Sequence, residues 1–431
     1  MPTKSALPPD AWTSAALLLT RWIARGERID LLLETLPRGL TGPARAQCQH
    51  RVLGVVRHHG RLEAALGRLV AHPPRNEVRA VLLLAGLELL EAAAAAEADP
   101  GRVPRIVHHA VERTKTLASP AEARMVNAVV RRLAEPLAQP PPPADADATV
   151  LAEYFSHPVW LVRAWLAQFG PVATRSLLEW NQTPAPVHGR WRGPGEPPQF
   201  LQPTAWPGFL RVPSGHWAEV EPLLAAGQLY LQDPSTRLPV ELLAPQTGET
   251  LLDLCAAPGG KSLLIADQMT AGRVVAVDQP GTRLERLKEN LSRTRGVDVA
   301  LVQADLLEQP ALVLREHRLP EAYDGVLLDV PCSNTGVMRH RVDVKWRLQP
   351  GDFRKHPAQQ LSLLHAAARL VRPGGRLVYS TCSIDAEENE HVVRAFLAGK
   401  AGGPFNLEKS VVSQPWVAGH DGGGAFLLRK A

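Results

Sequence analysis

Two cysteines stand just beyond apolar runs, Cys332 in "LLDVPCSNTG" (327–336) and Cys382 in "LVYSTCSIDAEEN" (377–389), fifty residues apart. A free cysteine is most often a buried small hydrophobe, and that reading suits Cys48 and Cys255. It suits Cys332 and Cys382 less well, because each sits among Ser, Thr, Asn and Gly, with Asp329 three residues before Cys332. Thiols placed with a carboxylate can do nucleophilic catalysis, in which a transient covalent bond divides one hard step into easier ones. The four cysteines form no close pairs and no zinc-ligand spacing, so neither a disulfide framework nor a metal site is expected, and a reducing cytoplasm fits.

A second group of residues reads as a nucleotide-like cofactor site. "LLDLCAAPGGKS" (251–262) is a strand, a small-residue turn and a helix start, with Gly259 and Gly260 allowing close backbone approach to a ligand. It has neither the G-x-G-x-x-G spacing of dinucleotide binders nor the Walker pattern, which argues against NAD and ATP. Asp278 ends "RVVAVD", twenty-five residues after Asp253, where an acid can take both ribose hydroxyls. Asp305 ends "VQAD", where an adenine amino group would lie. Each aspartate alone reads equally well as a helix N-cap. Two of them with the glycine turn favour an adenosine-type cofactor, and without a phosphate-binding loop the best candidate is S-adenosylmethionine.

The elements that must position these residues follow from periodicity. From 250 onward short apolar runs, "TLLDLCA", "RVVAVD", "VALVQAD", "DGVLLDV" and "GRLVYSTC", alternate with helical stretches. That is the signature of a doubly wound, mostly parallel α/β sheet, whose ligands bind at the carboxyl ends of the strands. All the polar residues singled out above fall at those ends. Residues 10–138 instead repeat apolar positions every three or four residues, predicting an all-α bundle. "QPPPPADADAT" (139–149) reads as a linker. The expected domains are thus a helical one over 1–138, the linker over 139–149, a small mixed α/β subdomain over 150–245 and a catalytic domain over 246–431.

Charge separates the same regions. Residues 1–139 carry 19 Lys and Arg against 13 Asp and Glu, the remainder 29 against 30, so the net charge of +5 lies wholly in the first third. That suits a polyanion-facing helical module attached to a nearly neutral one. Arg190, Trp191 and Arg192 interleave cations with an aromatic, and read either as a nucleic-acid contact or as a strand's exposed face. "RHRVDVKWR" (339–347) gathers Arg339, His340, Arg341, Lys345 and Arg347 around Trp346, an expected contact to an RNA backbone. The apolar run at 80–98 is broken by Glu88, Glu91 and Glu97, so it is a helix and no membrane span. "MPTKSALPPDAW" lacks the pattern of a signal peptide.

"DLCAAPGGKS", "DVPCSNTGVMRHRVDVKWR" and "YSTCSIDAEENEHVV" resemble the RsmB/NOP (Fmu/Sun) family of RNA cytosine-5 methyltransferases, and the likeness runs through "LYLQDPSTRLPVELLAPQTGETLLDL" and "GHDGGGAFLLRK". "RVLGVVRHHGRLEAAL" and "RMVNAVVRRL" resemble the NusB-like RNA-binding domain of the RsmB branch. The resemblance implies an α/β class I S-adenosylmethionine-dependent methyltransferase behind an all-α NusB-like bundle. It also implies 16S ribosomal RNA as substrate, with no DNA, membrane or obligate protein partner. It further implies Cys382 as the nucleophile at C6, Asp329 at N3 and Cys332 in release. Lys261 is the nearest motif candidate for supplying positive potential or orienting the base, and it also reads as a surface lysine on the first helical turn. Cys255, Ala256, Ala257, Pro258, Gly259, Gly260, Lys261, Asp278, Asp305 and Asp329 would hold the cofactor. In DNA cytosine methyltransferases the proline–cysteine motif attacks instead, so spacing alone does not rank the two thiols. The chain departs from the usual family form in having Arg-Val-Asp for His-Pro-Asp before Lys-Trp, and D-V-P-C for D-A-P-C. Three other readings stand beside this one. They are a transfer-RNA methyltransferase, a non-catalytic RNA-binding assembly factor and, disfavoured by the missing glycine spacing, a nicotinamide-dependent oxidoreductase.

Overall fold

The computed structural model describes residues 10–95, 97, 99–305, 307 and 310–431. The first nine residues, on which most of the signal-peptide reading rests, lie outside the described residues, as do 96 and 98 at the end of the apolar run. Among the described residues no helix is long and apolar enough to cross a membrane.

The chain forms two compact units, one running to Thr183 and including Arg341–Arg347, the other made of Pro184–His340 and Leu348–Ala431. The first is helical: α1 (Ala11–Arg25), α2 (Ile29–Glu34), α3 (Gly42–Gly67), α4 (Asn76–Ala93), α5 (Arg102–Leu117), α6 (Pro120–Leu137), α7 (Ala148–Tyr154) and α8 (Val159–Gln182). Side chains cap several starts: Asp10 accepts from Trp12 N and Thr13 N, both 2.9 Å, and Ser119 accepts from Glu122 N at 3.4 Å. The first part of the apolar run lies in α4, which ends at Ala93 and in which Val78 and Ala80 through Leu87 are all buried, as a central bundle helix requires.

Two expectations change here. Residues 150–183 fold as α7 and α8 with the helical unit, so the linker at 139–149 joins helix to helix and does not mark where the compact units divide. The segment 341–347 is also part of this unit. Val342 lies in its hydrophobic core, Lys345 Nζ donates to Arg57 O at 2.8 Å, and Trp346 Nε1 donates to Val56 O at 2.8 Å. Lys345 is 2% exposed, and burial, with the Arg57 charge beside it, pushes its ammonium well below the ordinary lysine range. A buried lysine already bonded to a carbonyl cannot meet an RNA phosphate, so the expected backbone contact is withdrawn for Lys345 and Trp346. Only Arg341 and Arg347 are exposed there, and Arg347 is held by Asp343 at 2.9 Å.

The second unit holds two sheets. The smaller is antiparallel, in the order β2 (Gln202–Pro203), β3 (Phe209–Val212), β1 (Val187–Trp191), β4 (Leu229–Leu231), with α9 (Trp217–Ala225) packed on it around Leu201, Leu210, Val220 and Leu229. Arg190 and Arg192 both bond Asp267, and only 7% of each side chain is exposed, so this pair ties the small sheet to the larger domain. The larger sheet has the order β10 (Phe405–Ser413), β11 (Gly423–Lys430), β9 (Val371–Thr381), β8 (Tyr323–Asp329), β5 (Thr250–Leu254), β6 (Arg273–Asp278), β7 (Asp298–Gln303). The five strands from β9 to β7 are parallel, β11 adds antiparallel to β9, and β10 adds antiparallel to β11. The helices α10 (Arg237–Leu243), α11 (Gly260–Asp267), α12 (Leu284–Leu291), α13 (Pro310–Glu316), α15 (Asp352–Arg369) and α16 (Glu390–Ala398) accompany it; α14 (Val344–Arg347) belongs to the helical unit, and the short α17 (Pro415–Ala418) precedes β11. The strand order reverses between β5 and β8. The crevice beyond their carboxyl ends is where an open sheet of this kind receives a ligand.

Candidate active site

The turn after β5 opens the site. Cys255 takes φ 59°, the Ala257–Pro258 peptide is cis, and Gly259 takes φ 101° as α11 begins. That left-handed φ favours glycine, and a Cβ there would also press on Leu287 Cδ1 at 2.7 Å. Asp278, at the tip of β6, pins this turn by accepting from Ala257 N at 2.7 Å and from Gln279 N at 2.7 Å. Asp305, past β7, accepts from Gln279 Nε2 and Leu307 N, both at 2.9 Å. The two aspartates are therefore brought together through Gln279, as their strand-end positions suggest.

A cavity of about 230 Å³ lies against the turn. Of the residues expected around a cofactor, Cys255, Ala256, Ala257, Pro258, Gly260, Lys261 and Asp329 line it; Gly259, Asp278 and Asp305 do not. Asp253, Tyr230 and Gln232 line it too and were not anticipated as ligands. Asp253 Oδ1 and Gln232 Nε2 are buried without a hydrogen-bond partner, an acceptor and a donor that suit a ligand bearing both an ammonium and a carboxylate. Burial, with the Asp329 charge nearby and despite the Ser262 hydroxyl, pushes the Asp253 carboxyl up to about 7.

A second cavity of about 100 Å³ is lined by Lys261, Asp329, Ser380, Thr381, Cys382 and Gly422–Gly424, among others. The two cavities share Asp233, Thr236, Lys261 and Asp329. At that shared wall Asp329 is clamped, accepting from Lys261 Nζ at 2.7 Å and from Ser380 Oγ at 2.7 Å. Burial pulls the Lys261 ammonium down, but Asp329 and the nearby Cys382 more than offset it, and the net shift is upward. Lys261 is thus a held cation inside the site, not a surface lysine on a first helical turn.

Cys332 Sγ and Cys382 Sγ lie 3.1 Å apart. The hydrogen bond to Cys382, then burial, raises the Cys332 thiol well above its ordinary value, so it keeps its proton. What holds the two loops is a buried polar network whose role the sequence reading did not foresee. The Glu388 carboxylate accepts from Ser333 N at 2.9 Å, from Ser333 Oγ and from Gln360 Nε2 at 2.9 Å. Thr335 Oγ1 donates to Asp385, and Ile384 N donates to Thr335 Oγ1 at 3.2 Å. Asn389 Nδ2 reaches Ser383 O at 2.8 Å and Asp385 O at 3.0 Å. Burial pushes Glu388 up, but donors from His356, Ser333 and Ser383 outweigh it and the carboxylate stays charged. Gly336 closes the assembly, since a Cβ there would lie 2.3 Å from Gly422 O and 2.9 Å from Cys382 O. The available signal was the density of small hydroxyl and acidic residues around each cysteine. Nearby, His340 Nδ1 lies 2.9 Å from Asp421 Oδ1, and Asp421 N donates to Asp233 Oδ1 at 3.1 Å.

Residues 240–414 match the family model described as 16S rRNA methyltransferase RsmB/F, and residues 10–135 match the NusB family. Ribosomal RNA small subunit methyltransferase B of Sodalis glossinidius is 32% identical over 408 residues, covering 89% of this chain and 88% of that protein. The Vibrio cholerae protein of the same name is 31% identical over 407 residues, with 89% and 88% covered. Among solved structures, the crystal structure of PH0851 shares the fold with a TM-score of 0.73 and 21% identity, covering 98% of this chain and all of that one. A methyltransferase homolog protein from Pyrococcus horikoshii superposes with a TM-score of 0.54 and 24% identity, covering 66% of this chain and 99% of that one.

Proposed function

The chain belongs to the 16S rRNA methyltransferase RsmB/F family, and from that premise we propose that it methylates C5 of a cytosine in 16S ribosomal RNA through a transient bond between Cys382 and C6 of the base. S-adenosylmethionine is the methyl donor, and when bound it supplies an electrophilic methyl group on a sulfonium. Asp253 and Gln232 suit its amino-acid end, and the Cys255–Lys261 turn would wrap it beside Asp278. One observation carries the reading: two thiols converge to 3.1 Å beside a carboxylate–ammonium pair on the wall shared by two cavities.

Cytosine C5 is too weak a nucleophile to take a methyl group unaided. Cys382 gives its thiol proton to solvent and its sulfur bonds to C6, and the C5–C6 π pair moves to C5, which becomes enamine-like and takes the methyl group as the sulfonium–carbon bond breaks to leave a neutral thioether. As sulfur adds, N3 takes a proton from solvent and gives it up again when sulfur leaves, and Asp329, immobilised by Lys261 and Ser380, accepts the N3–H hydrogen bond that forms. Loss of the C5 proton to solvent rebuilds the double bond, and the C6–sulfur bond breaks with its electron pair returning to Cys382. Cys332, still protonated, hydrogen-bonds the departing sulfur. The base must leave its stack to enter so small a cavity, at a cost of about a few kcal/mol that is least for unpaired RNA.

Trapping tests this directly. With 16S transcript and methyl donor, Cys332→Ala should accumulate a covalent protein–RNA band on denaturing gels, while Cys382→Ala should give neither band nor methylated product. A band with Cys382→Ala instead would exchange the two thiol roles. No band with either variant, and full activity in both, would discard the covalent mechanism.

A further inference from the structure

Two thiols at 3.1 Å are nearly equivalent on distance alone, since either sulfur can donate to the other. The asymmetry comes from Asn334. Its Nδ2 donates to Cys332 O at 2.7 Å, and its Oδ1 lies 3.2 Å from Cys382 Sγ. A backbone carbonyl only accepts, so the nitrogen of the carboxamide must face Cys332 O and the oxygen must face Cys382. An amide oxygen likewise only accepts, so the Cys382 S–H points at Asn334 and away from Cys332. The one hydrogen left between the sulfurs belongs to Cys332.

We propose that Asn334 is a positioning residue that sets the polarity of the thiol pair, turning Cys382 into the acceptor of the Cys332 S–H and holding its sulfur in one rotamer for attack. The proposal rests on the assignment of Cys382 as nucleophile made above and gives that assignment a physical cause. When Cys382 loses its proton, the charge on its sulfur already has a donor in Cys332. Cys332 lacks a thiol donor, because the hydrogen of its neighbour is turned away, and has the Asn334 backbone N–H beside it instead. Asn334 takes φ 61° and ψ 27°, a left-handed conformation that asparagine tolerates and that glycine adopts freely. Its loop is anchored on both sides by Ser333 and Thr335, so losing the carboxamide need not move the backbone.

Glycine is therefore the clean probe, because Asn334→Gly keeps the backbone and removes only the carboxamide. Single-turnover methylation of 16S transcript should fall about tenfold, as when a reacting group is freed from its attack geometry. RNA affinity, S-adenosylmethionine affinity by calorimetry and melting temperature should stay at wild-type values. Asn334→Asp places a charged acceptor against the sulfur and opposes the thiolate. Its rate should fall about a hundredfold at pH 7 and recover as the pH rises, moving the rate–pH profile to higher pH. In a Cys332→Ala background, Asn334→Gly should slow appearance of the covalent band about tenfold. Wild-type rates and an unshifted profile in both Asn334 variants would overturn the proposal, as would a loss in Asn334→Gly matched by lower melting temperature or cofactor affinity. If Cys332→Ala alone gives the band while Asn334→Gly is silent, only this inference fails. If the band forms with Cys382→Ala instead, the thiol assignment beneath it fails.

Discussion

Two stretches follow strand β8 within twenty residues of each other, and they use polar residues in opposite ways. In 332–336, Ser333, Asn334 and Thr335 bond to the loop after β9 or to the thiols themselves, and they bring two sulfurs to one point. In 341–347, Asp343, Lys345 and Trp346 satisfy backbone groups of the helical unit at Ile29, Arg57 and Val56. By composition the second stretch, with its cations around a tryptophan, looks the more functional. It is a structural plug. A charged or aromatic side chain reports that a polar partner exists; only the fold says whether that partner is a ligand, a phosphate or a carbonyl of the same chain.

The largest effect that sharpens this contrast should come from Glu388, the centre of the network behind the thiols. Glu388→Ala leaves Ser333 N, Gln360 Nε2 and His356 facing a void, and breaking a buried charged cluster costs about 3–5 kcal/mol. Chemical denaturation should show that loss, and alkylation of Cys332 by iodoacetamide should rise as its loop loosens. A smaller loss is expected at the plug. Trp346→Ala removes a ring packed against the helical core and its bond to Val56 O, for about 2–4 kcal/mol. Lys345→Met should leave the salt dependence of RNA affinity unchanged, whereas a true phosphate contact would reduce its slope by about one. A reduced slope would restore the reading that the buried lysine has displaced.

The smallest effect concerns pH. The Asp253 carboxyl, raised from the usual 3.8 to about 7, stays neutral in the fold at pH values where it ionises in the unfolded chain. Below the unfolded value this brings no penalty, and the folded state loses stability as pH rises from there through about 7. Asp253→Asn, which mimics the neutral form, should therefore raise the melting temperature by about 2–4 °C at pH 8 and much less at pH 5. Equal shifts at both values would place the Asp253 carboxyl in its ordinary range.

Much of the catalytic unit was legible because its signals are local. Short apolar runs alternating with helical stretches define a parallel sheet, and the sheet's connectivity puts strand ends such as Asp278, Asp305, Asp329 and Cys382 on one rim. The antiparallel pair β10 and β11 was not read as strands, since "FNLEKSVVS" is largely exposed at the edge and "GGAFLLRK" begins with glycines that weaken a strand signal. The helical unit was legible in its periodicity, but its extent was not. Proline-rich 139–149 looks like a boundary by composition, whereas α7 and α8 beyond it pack back on the same unit.

Residue order alone determined which groups are available, since strand-end placement follows from short-range periodicity. Tertiary structure decided their pairing: that Cys332 and Cys382 meet, that Lys261 clamps Asp329, that Asp253 and Gln232 face the cavity beside the Cys255–Lys261 turn, and that Lys345 turns inward. These are contacts between residues tens to hundreds of positions apart, where hydrogen bonds and charges act only over a few ångströms. No local pattern encodes such distances, because they exist only once the whole chain has packed.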